Sequence, residues 1–320
     1  MTTIISNLPQ RKAFSSDNLQ FAWDSVSLGA AKKCPRYYLY SILQGWQPKM
    51  QSPHLTFGIV FHSAMEALDH IRVTRPLVDS DLYPVIRQAM KTLGSYDENG
   101  IFTPWRSGHD KKNLESMIRS IVWYFDEYLN DTYTVIQLAN GRAAVELSFR
   151  FPLGLKHAGE DLLYCGHLDS LGEFAQSTYG LDRKTTGGAL TQQFYSQFSP
   201  SVQITGYNLA SRLVYNVASR GIIIDAMQIG AGFVRFGRQI VANTEAQLEE
   251  WLTSSMYTIQ DSQRWLDQQY WPMNETACNL YMGCTYRGIC SKDPSVRERF
   301  LEADFHTRAW DPLEPRGTDA

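Results

Sequence analysis

The sequence lacks the marks of several protein classes. It contains no uncharged apolar run of about 18 residues, which argues against a membrane-spanning helix. Residues 1–12 have no apolar core of the kind that a signal peptide needs. Five cysteines in 320 residues are an odd and small number for a disulfide scaffold. We therefore expect a soluble, cytoplasmic globular protein without membrane association.

An excess of basic residues is also missing. The chain has 30 Lys and Arg residues against 33 Asp and Glu residues, which gives a formal net charge of −3. Nucleic-acid-binding proteins often have a basic excess, but a nuclease also collects acidic residues at its metal site. Composition therefore leaves nucleic-acid binding open. With 43% hydrophobic residues, the chain can bury a sizeable core.

The spacing of apolar residues predicts a group of helices followed by a group of strands. Helical spacing covers residues 25–43, 57–71, 81–94 and 113–130. Alternation of apolar and polar residues predicts a strand over 145–151, and residues 161–169 and 178–184 are the next two strand candidates. A helix over 202–218, one or two strands over 221–236 and a long helix over 244–268 follow. This order predicts an α/β fold with a central mixed β-sheet flanked by helices.

One domain is expected to include most of the chain. Its predicted bounds are 25–295, with a helical insertion at about 75–135 and a cysteine-rich segment over 270–295. Residues 1–24 are predicted to be irregular, and residues 296–320 to form a C-terminal tail.

Two carboxylates lie at the ends of neighbouring predicted strands. If these strands pair as a hairpin, Asp169 and Asp182 can emerge at one edge of the sheet, and Lys184 points to the same face as Asp182. Paired carboxylates are ligands for Mg²⁺ or Mn²⁺. An ammonium group beside them can orient an attacking water or stabilise charge on a phosphate. The set therefore predicts a phosphodiester hydrolysis site.

The cysteines are unevenly distributed along the chain. Cys278, Cys284 and Cys290 lie within 13 residues, which suggests metal ligation in a reducing compartment, and Cys34 lies alone near the start. Cys165 precedes a glycine in a predicted buried strand, where a free cysteine commonly packs as a small hydrophobic residue. We interpret Cys165 as structural.

Two further motifs flank the acid–acid–lysine set. Gly58 and His62 form a Gly-x-x-x-His pattern on a predicted helix before the sheet, and Gln203 and Tyr207 form a Gln-x-x-x-Tyr pattern on a helix after it. In this order the motifs, over residues 58–207, resemble the PD-(D/E)XK nuclease superfamily. They are most similar to its RecB-like and AddB-like branch, which includes the fourth Cas protein of CRISPR adaptation and phage-encoded relatives.

The resemblance implies a restriction-endonuclease-like core and a role for each matched residue. The implied metal ligands are His62, Asp169 and Asp182. Lys184 would assist the attacking water, and Gln203 and Tyr207 would contact DNA or brace the site.

Relatives with an iron–sulfur cluster have one cysteine before the nuclease core and three after it. The resemblance therefore implies a 4Fe-4S cluster that clips the N-terminal and C-terminal segments together. Its implied ligands are Cys34, Cys278, Cys284 and Cys290. Both gaps in the C-terminal group are five residues, whereas C-x2-C-x5-C is the usual spacing, so which cysteine corresponds to which ligand stays open. Zinc is the alternative metal, although it usually needs a C-x2-4-C knuckle.

Two functions remain open from the sequence. The first is a metal-dependent DNA nuclease, expected to be an exonuclease on DNA ends or single strands, with a helicase or a recombination or adaptation protein as partner. The chain has no Gly-x4-Gly-Lys-Ser/Thr loop, so it is not itself an ATP-driven helicase. The second is a non-catalytic DNA-end binding or assembly module on the same fold.

Three other polar residues near the predicted site have open or minor roles. Glu146 either is solvated or joins the acidic cluster. His167 is expected to face away from the metal. Arg183 is one of several basic residues that either are solvated or follow a phosphate backbone.

Overall fold

The structure, a computed structural model, divides into two compact units. It describes residues 13–15, 17–50, 52–96, 101–103, 105–280 and 283–314. The first unit consists of Met1–Met50, Arg150–Gly166 and Thr244–Pro315. The second consists of Gln51–Phe149, His167–Asn243 and Arg316–Ala320. The predicted domain boundaries stay a prediction.

The helices follow the predicted order closely. They are α1 (Ser25–Lys33), α2 (Pro35–Tyr38), α3 (Pro53–Arg72), α4 (Leu82–Leu93), α5 (Leu114–Glu127), α6 (Gln192–Ser196), α7 (Val202–Leu213), α8 (Glu245–Asp267), α9 (Arg287–Cys290) and α10 (Arg297–Asp304). A π-helical turn covers Leu39–Leu43, and short 3₁₀ turns cover Asp79–Asp81, Glu275–Asn279 and Pro294–Val296. No helix in the described ranges combines the length and the apolar character that crossing a bilayer requires.

The strands include several that the sequence pattern did not predict. They are β1 (Ala22–Trp23), β2 (Trp46–Pro48), β3 (Ser95–Tyr96), β4 (Phe102–Thr103), β5 (Thr134–Val135), β6 (Val145–His157), β7 (Glu160–Phe174), β8 (Ser177–Thr186), β9 (Ile222–Ile229), β10 (Val234–Val241) and β11 (Phe305–Thr307). The unpredicted strands β1 to β5 and β11 have two or three residues each, too few to show a periodic pattern.

The central sheet is mixed, as predicted. Its strand order is β1-β7-β8-β9-β10, and β5 and β6 also pair with β7. β7 and β8 are antiparallel, β8 and β9 are parallel, and β9 and β10 are antiparallel. The turn between β7 and β8 consists of Ala175 and Gln176, both with positive φ, which matches the twist of a two-residue hairpin. The predicted hairpin and the α/β fold are therefore confirmed.

Helices cover both faces of the sheet in the second unit. One core joins α3, α4 and α5 to the apolar residues of β9 and β10. On β8, the side chain of Arg183 contacts α3, whereas that of Lys184 contacts α7. Since neighbouring strand residues point to opposite faces, α3 and α7 lie on opposite sides of the sheet. Every residue of β9 is accordingly buried.

The first unit contains the cysteine-rich segment and five helices, α1, α2, α8, α9 and α10. The predicted helix over 25–43 is interrupted at Cys34, which is extended and precedes Pro35, a residue that favours a new helix start. Part of the predicted irregular segment 1–24 lies outside the described residues, and its end forms β1. The predicted tail 296–320 is described to Glu314 and contains α10 and β11, which pairs with β2.

Candidate active site

The β7–β8 hairpin brings the two predicted acids together. Its register runs from Phe174–Ser177 to Ser170–Leu181, so that Asp169 and Asp182 are the next residues on the two strands. At this end of the hairpin a side chain also joins the two strands: the backbone N–H of Arg183 on β8 donates to Asp169 Oδ2 on β7 at 2.8 Å. Asp169 is 8% exposed and Asp182 is 2% exposed. Both carboxylates are therefore largely removed from water.

His62 reaches this pair from α3. Its Nδ1 lies 3.3 Å from Asp169 Oδ2, and its Nε2 lies 3.0 Å from the backbone oxygen of Arg183. A carbonyl oxygen only accepts hydrogen bonds, so Nε2 carries the proton. In the neutral ring, Nδ1 then has a lone pair that can bind a cation, and the contact through the other nitrogen fixes the ring.

Glu146 completes the group, a role that the sequence left open. Ligand atoms of His62, Glu146 and Asp169 all lie within 4.8 Å of one another, and within the described residues these three form the group of potential metal ligands. Glu146 has a φ of 44°, which is uncommon for a non-glycine residue in a strand. Backbone outliers of this kind often occur at functional sites. Asp182 lies outside this group of three.

Lys184 is held by a chain of side chains. Its Nζ lies 2.8 Å from Asp182 Oδ2 and donates to Oδ1 at 3.1 Å and to Gln203 Oε1 at 2.8 Å. Gln203 Nε2 in turn donates to the Tyr207 hydroxyl at 3.0 Å. Gln203 and Tyr207 are four residues apart and share one face of α7. The Gln-x-x-x-Tyr motif thus contacts the lysine.

Burial and neighbouring charges shift the pKa values of the acids in opposite directions. Burial disfavours ionisation of Asp169, but His62 and Arg183 outweigh it and lower the pKa of Asp169. Burial raises the pKa of Asp182, and the charge of Asp169 adds to this effect, although Lys184 opposes it. For His62, burial favours the neutral ring, but Asp169 outweighs burial and raises its pKa. The metal-free site therefore favours a protonated His62 beside an ionised Asp169.

The structure also places the two other residues that the sequence left with minor roles. His167 Nδ1 lies 3.0 Å from Ser148 Oγ, and His167 does not belong to the group of three. Arg183 is 2% exposed, so it is neither solvated nor free to follow a phosphate backbone. The interpretation of Arg183 as a surface residue was wrong, because its alternation on β8 directs it into the helix-covered face.

Two of the predicted cluster cysteines, Cys34 and Cys278, contact the same asparagine of the first unit. Asn274 N donates to Cys34 Sγ at 3.3 Å, and Cys278 Sγ lies 3.8 Å from Asn274 O. Cys284 N donates to Cys278 O at 3.0 Å. Burial raises the pKa of Cys290, and the charges of Cys284 and Cys34 contribute to this rise. All of these thiols are free of disulfides.

Comparisons with known proteins found a family model and solved structures that resemble this chain. A model of the PD-(D/E)XK nuclease superfamily matches residues 26–291. A solved structure from Eubacterium rectale, named "Putative exonuclease", has a TM-score of 0.48 and 12% identity over 87% of this chain and 92% of that chain. The structure of SSO0001 has a TM-score of 0.23 and 10% identity over 35% of this chain, and the match spans 48% of its own length. No curated protein matches. Because the superfamily model matches most of its length, this chain belongs to the PD-(D/E)XK nuclease superfamily.

Proposed function

We propose that this chain is a metal-dependent deoxyribonuclease of the RecB-like branch. The observation that carries the proposal is the convergence of His62, Glu146 and Asp169 beside Asp182 and Lys184, at the end of one hairpin in a chain of this superfamily. The carboxylate oxygens of Glu146 and Asp169 suit Mg²⁺ or Mn²⁺.

The residues fit a divalent cation. Ligand oxygens of Glu146 and Asp169 lie within 4.8 Å of each other, and two carboxylates this close repel unless a cation lies between them. Asp182 Oδ2 is buried and, in the described part of the chain, accepts no well-aligned hydrogen bond, although Lys184 Nζ lies 2.8 Å away. Carboxylate oxygens with lone pairs are therefore available on both strands of the hairpin.

The chain's own residues have distinct tasks in this proposal. A bound divalent ion supplies Lewis-acid activation of the phosphate and of the attacking water. Lys184 Nζ directs two of its three N–H groups to Asp182 and Gln203, which leaves the third for that water or for a phosphate oxygen. The Tyr207 hydroxyl accepts a hydrogen bond from Gln203 Nε2, and this contact keeps Gln203 Oε1 turned toward Lys184. The motif on α7 then braces the lysine.

A second part of the proposal concerns the cysteines, whose donor chemistry fits an iron–sulfur cluster. Cys34 and Cys278 come from two distant stretches of chain and both contact Asn274, and Cys284 N donates to Cys278 O. All four thiols are free of disulfides, and thiolates are the usual ligands of such clusters. Linking Cys34 to the C-terminal group would close a loop of more than two hundred residues and stabilise the first unit.

Iron content and visible absorbance test the cluster. Protein purified without oxygen is expected to contain iron in the wild type and in Cys165→Ala, because Cys165 instead donates to the Trp23 carbonyl at 3.2 Å. Cys284→Ala is expected to lose most of the iron and of the absorbance. Iron-free wild-type protein, or full iron in Cys284→Ala, would contradict the cluster proposal without affecting the nuclease proposal.

Cleavage of end-labelled oligonucleotides tests the nuclease proposal. Single-stranded and duplex DNA, labelled at either end, are incubated with Mg²⁺, Mn²⁺ or EDTA. We expect metal-dependent cleavage, and progressive shortening from one end identifies an exonuclease. Lys184→Ala should lower the rate about 100-fold or more, while Lys91→Ala, on the exposed face of α4, should not. Binding without cleavage under every metal would favour the non-catalytic DNA-end module instead.

A further inference from the structure

We infer that Arg183 is a positioning residue, which holds two of the proposed metal ligands in register through a buried ion pair with Asp69. The inference rests on the proposed metal site, and it assigns a task to the residue between the two motif positions Asp182 and Lys184.

The backbone of Arg183 contacts both ligands directly. Its N–H donates to Asp169 Oδ2 at 2.8 Å, and its carbonyl oxygen accepts from His62 Nε2 at 3.0 Å. One peptide segment of β8 thus orients a carboxylate from β7 and an imidazole from α3. Any shift of this segment along or away from α3 changes the separation of the two ligands.

The side chain of Arg183 fixes that segment against the same helix. Its Nη1 lies 2.8 Å from Asp69 Oδ2, and its Nη2 donates to Asp69 Oδ1 at 2.9 Å, which forms a two-pronged pair. Both side chains are almost fully buried, with 2% and 0% exposure. Asp69 follows His62 by seven residues, or about two helical turns, so both lie on one face of α3. Arg183 therefore joins β8 to that face at two levels.

A neighbouring pair provides a matched control. Arg238 on β10 forms a similar two-pronged pair with Asp131, with distances of 2.7 Å to both carboxylate oxygens. Its side chain is 16% exposed, and it also lies 3.2 Å from Asp225 on β9. No described hydrogen bond joins the backbone of Arg238 to a proposed metal ligand. A substitution here disturbs the ion network, which reaches the Arg183 side chain through other residues, among them Asp225 and Tyr124, without removing a direct contact with the ligands.

The experiment compares Arg183→Lys with Arg238→Lys. Lysine keeps the charge but loses the two-pronged geometry. Mn²⁺ binding to metal-free protein is measured by calorimetry, urea unfolding is measured in EDTA, and cleavage is measured against Mn²⁺ concentration. We expect Arg183→Lys to weaken Mn²⁺ binding about 10-fold or more and Arg238→Lys about twofold or less. Raising the Mn²⁺ concentration should restore most of the cleavage rate of Arg183→Lys.

The outcomes separate this inference from the proposed function. Equal loss of Mn²⁺ affinity in the two variants, or an unchanged affinity in Arg183→Lys, would overturn the positioning role while the nuclease proposal stood. A wild type that neither binds Mn²⁺ nor cleaves DNA would overturn both. If Arg183→Lys does not fold, Asp69→Glu replaces it, since it keeps the carboxylate but moves it by one methylene. Mn²⁺ affinity unchanged in that variant would equally refute the inference.

Discussion

Replacing Glu146 by glutamine should change the stability of the metal-free protein and its response to metal in opposite directions. Carboxylate oxygens of Glu146 and Asp169 lie within 4.8 Å of each other. In EDTA no metal ion neutralises these two charges, so they repel each other. Glutamine keeps the size of the side chain and an oxygen donor but removes the charge. We therefore expect Glu146→Gln to be more stable than the wild type in EDTA and less stabilised by Mn²⁺.

The separation of the two carboxylates sets the size of the expected stability change in Glu146→Gln. Two unit charges 4.8 Å apart repel by about 3.5 kcal/mol at an effective dielectric constant of about 20. Glu146 is only half-buried and a protonated His62 offsets part of the repulsion, so a net gain of about 1 kcal/mol is expected in EDTA. Mn²⁺ at about 100 times the wild-type dissociation constant stabilises the wild type by about 2.7 kcal/mol, and a tenfold loss of affinity reduces this to about 1.4 kcal/mol.

Urea unfolding of both proteins, in EDTA and in Mn²⁺, measures the two effects together. Glu173→Gln serves as the control, because Glu173 is an exposed acid on the same strand as Asp169. Glu173→Gln should leave the free energy of unfolding within about 0.5 kcal/mol of the wild-type value, both in EDTA and in Mn²⁺. A Glu146→Gln variant that loses stability in EDTA and keeps the full Mn²⁺ response would refute the assignment of Glu146 to the metal site.

Three further predictions concern the brace, the ion network and the packing of the sheet. Tyr207→Phe removes the acceptor of the Gln203 amide, a hydrogen bond worth about 1 kcal/mol. It should lower the single-turnover cleavage rate about fivefold at unchanged Mn²⁺ affinity. Burial raises the pKa of Asp131, but the hydrogen bonds and the charge of Arg238 outweigh burial and lower this pKa. The ion pair therefore stabilises the fold fully above about pH 4, and its contribution is lost as the pH falls through the lowered pKa. Asp131→Asn should lose about 2 kcal/mol at neutral pH, because Arg238 keeps Asp225 as a partner, and it should show a smaller further loss in acid, measured by urea unfolding. A full acid response in that variant would contradict the reasoning. Gly172→Ala places a Cβ against the Tyr133 ring and the Thr134 carbonyl and should destabilise the protein by about 1–3 kcal/mol in the same assay. Wild-type stability would argue against such close packing.

Periodicity in the sequence was enough to predict most of the fold. The long elements were predicted because their apolar residues repeat over several helical turns or at alternate strand positions, as in α3 and β6. The hairpin turn at Ala175 and Gln176 has no glycine or asparagine, so the pairing of β7 and β8 followed from the strand pattern rather than from the turn. The short strands were missed because two or three residues cannot establish a period.

The site was only partly predictable from the sequence. Spacing along one strand relates Asp182 to Lys184, and a known motif pointed to His62. Glu146 could not be assigned, because its contact with the group depends on a left-handed backbone conformation that no local pattern indicates. Asp69 received no role for a similar reason: its partner lies 114 residues away in the sequence, and only the packing of α3 on β8 brings the two together.

The most direct test of the account is the cleavage rate of Asp182→Asn compared with that of Glu173→Gln, in Mn²⁺ and on the same end-labelled DNA. The two substitutions make the same chemical change on adjacent strands of one hairpin, one beside Lys184 and the other on the exposed surface. We predict that Asp182→Asn loses at least about 100-fold in rate and that Glu173→Gln cleaves like the wild type. Wild-type cleavage by Asp182→Asn would contradict the claim that this hairpin contains the hydrolytic site.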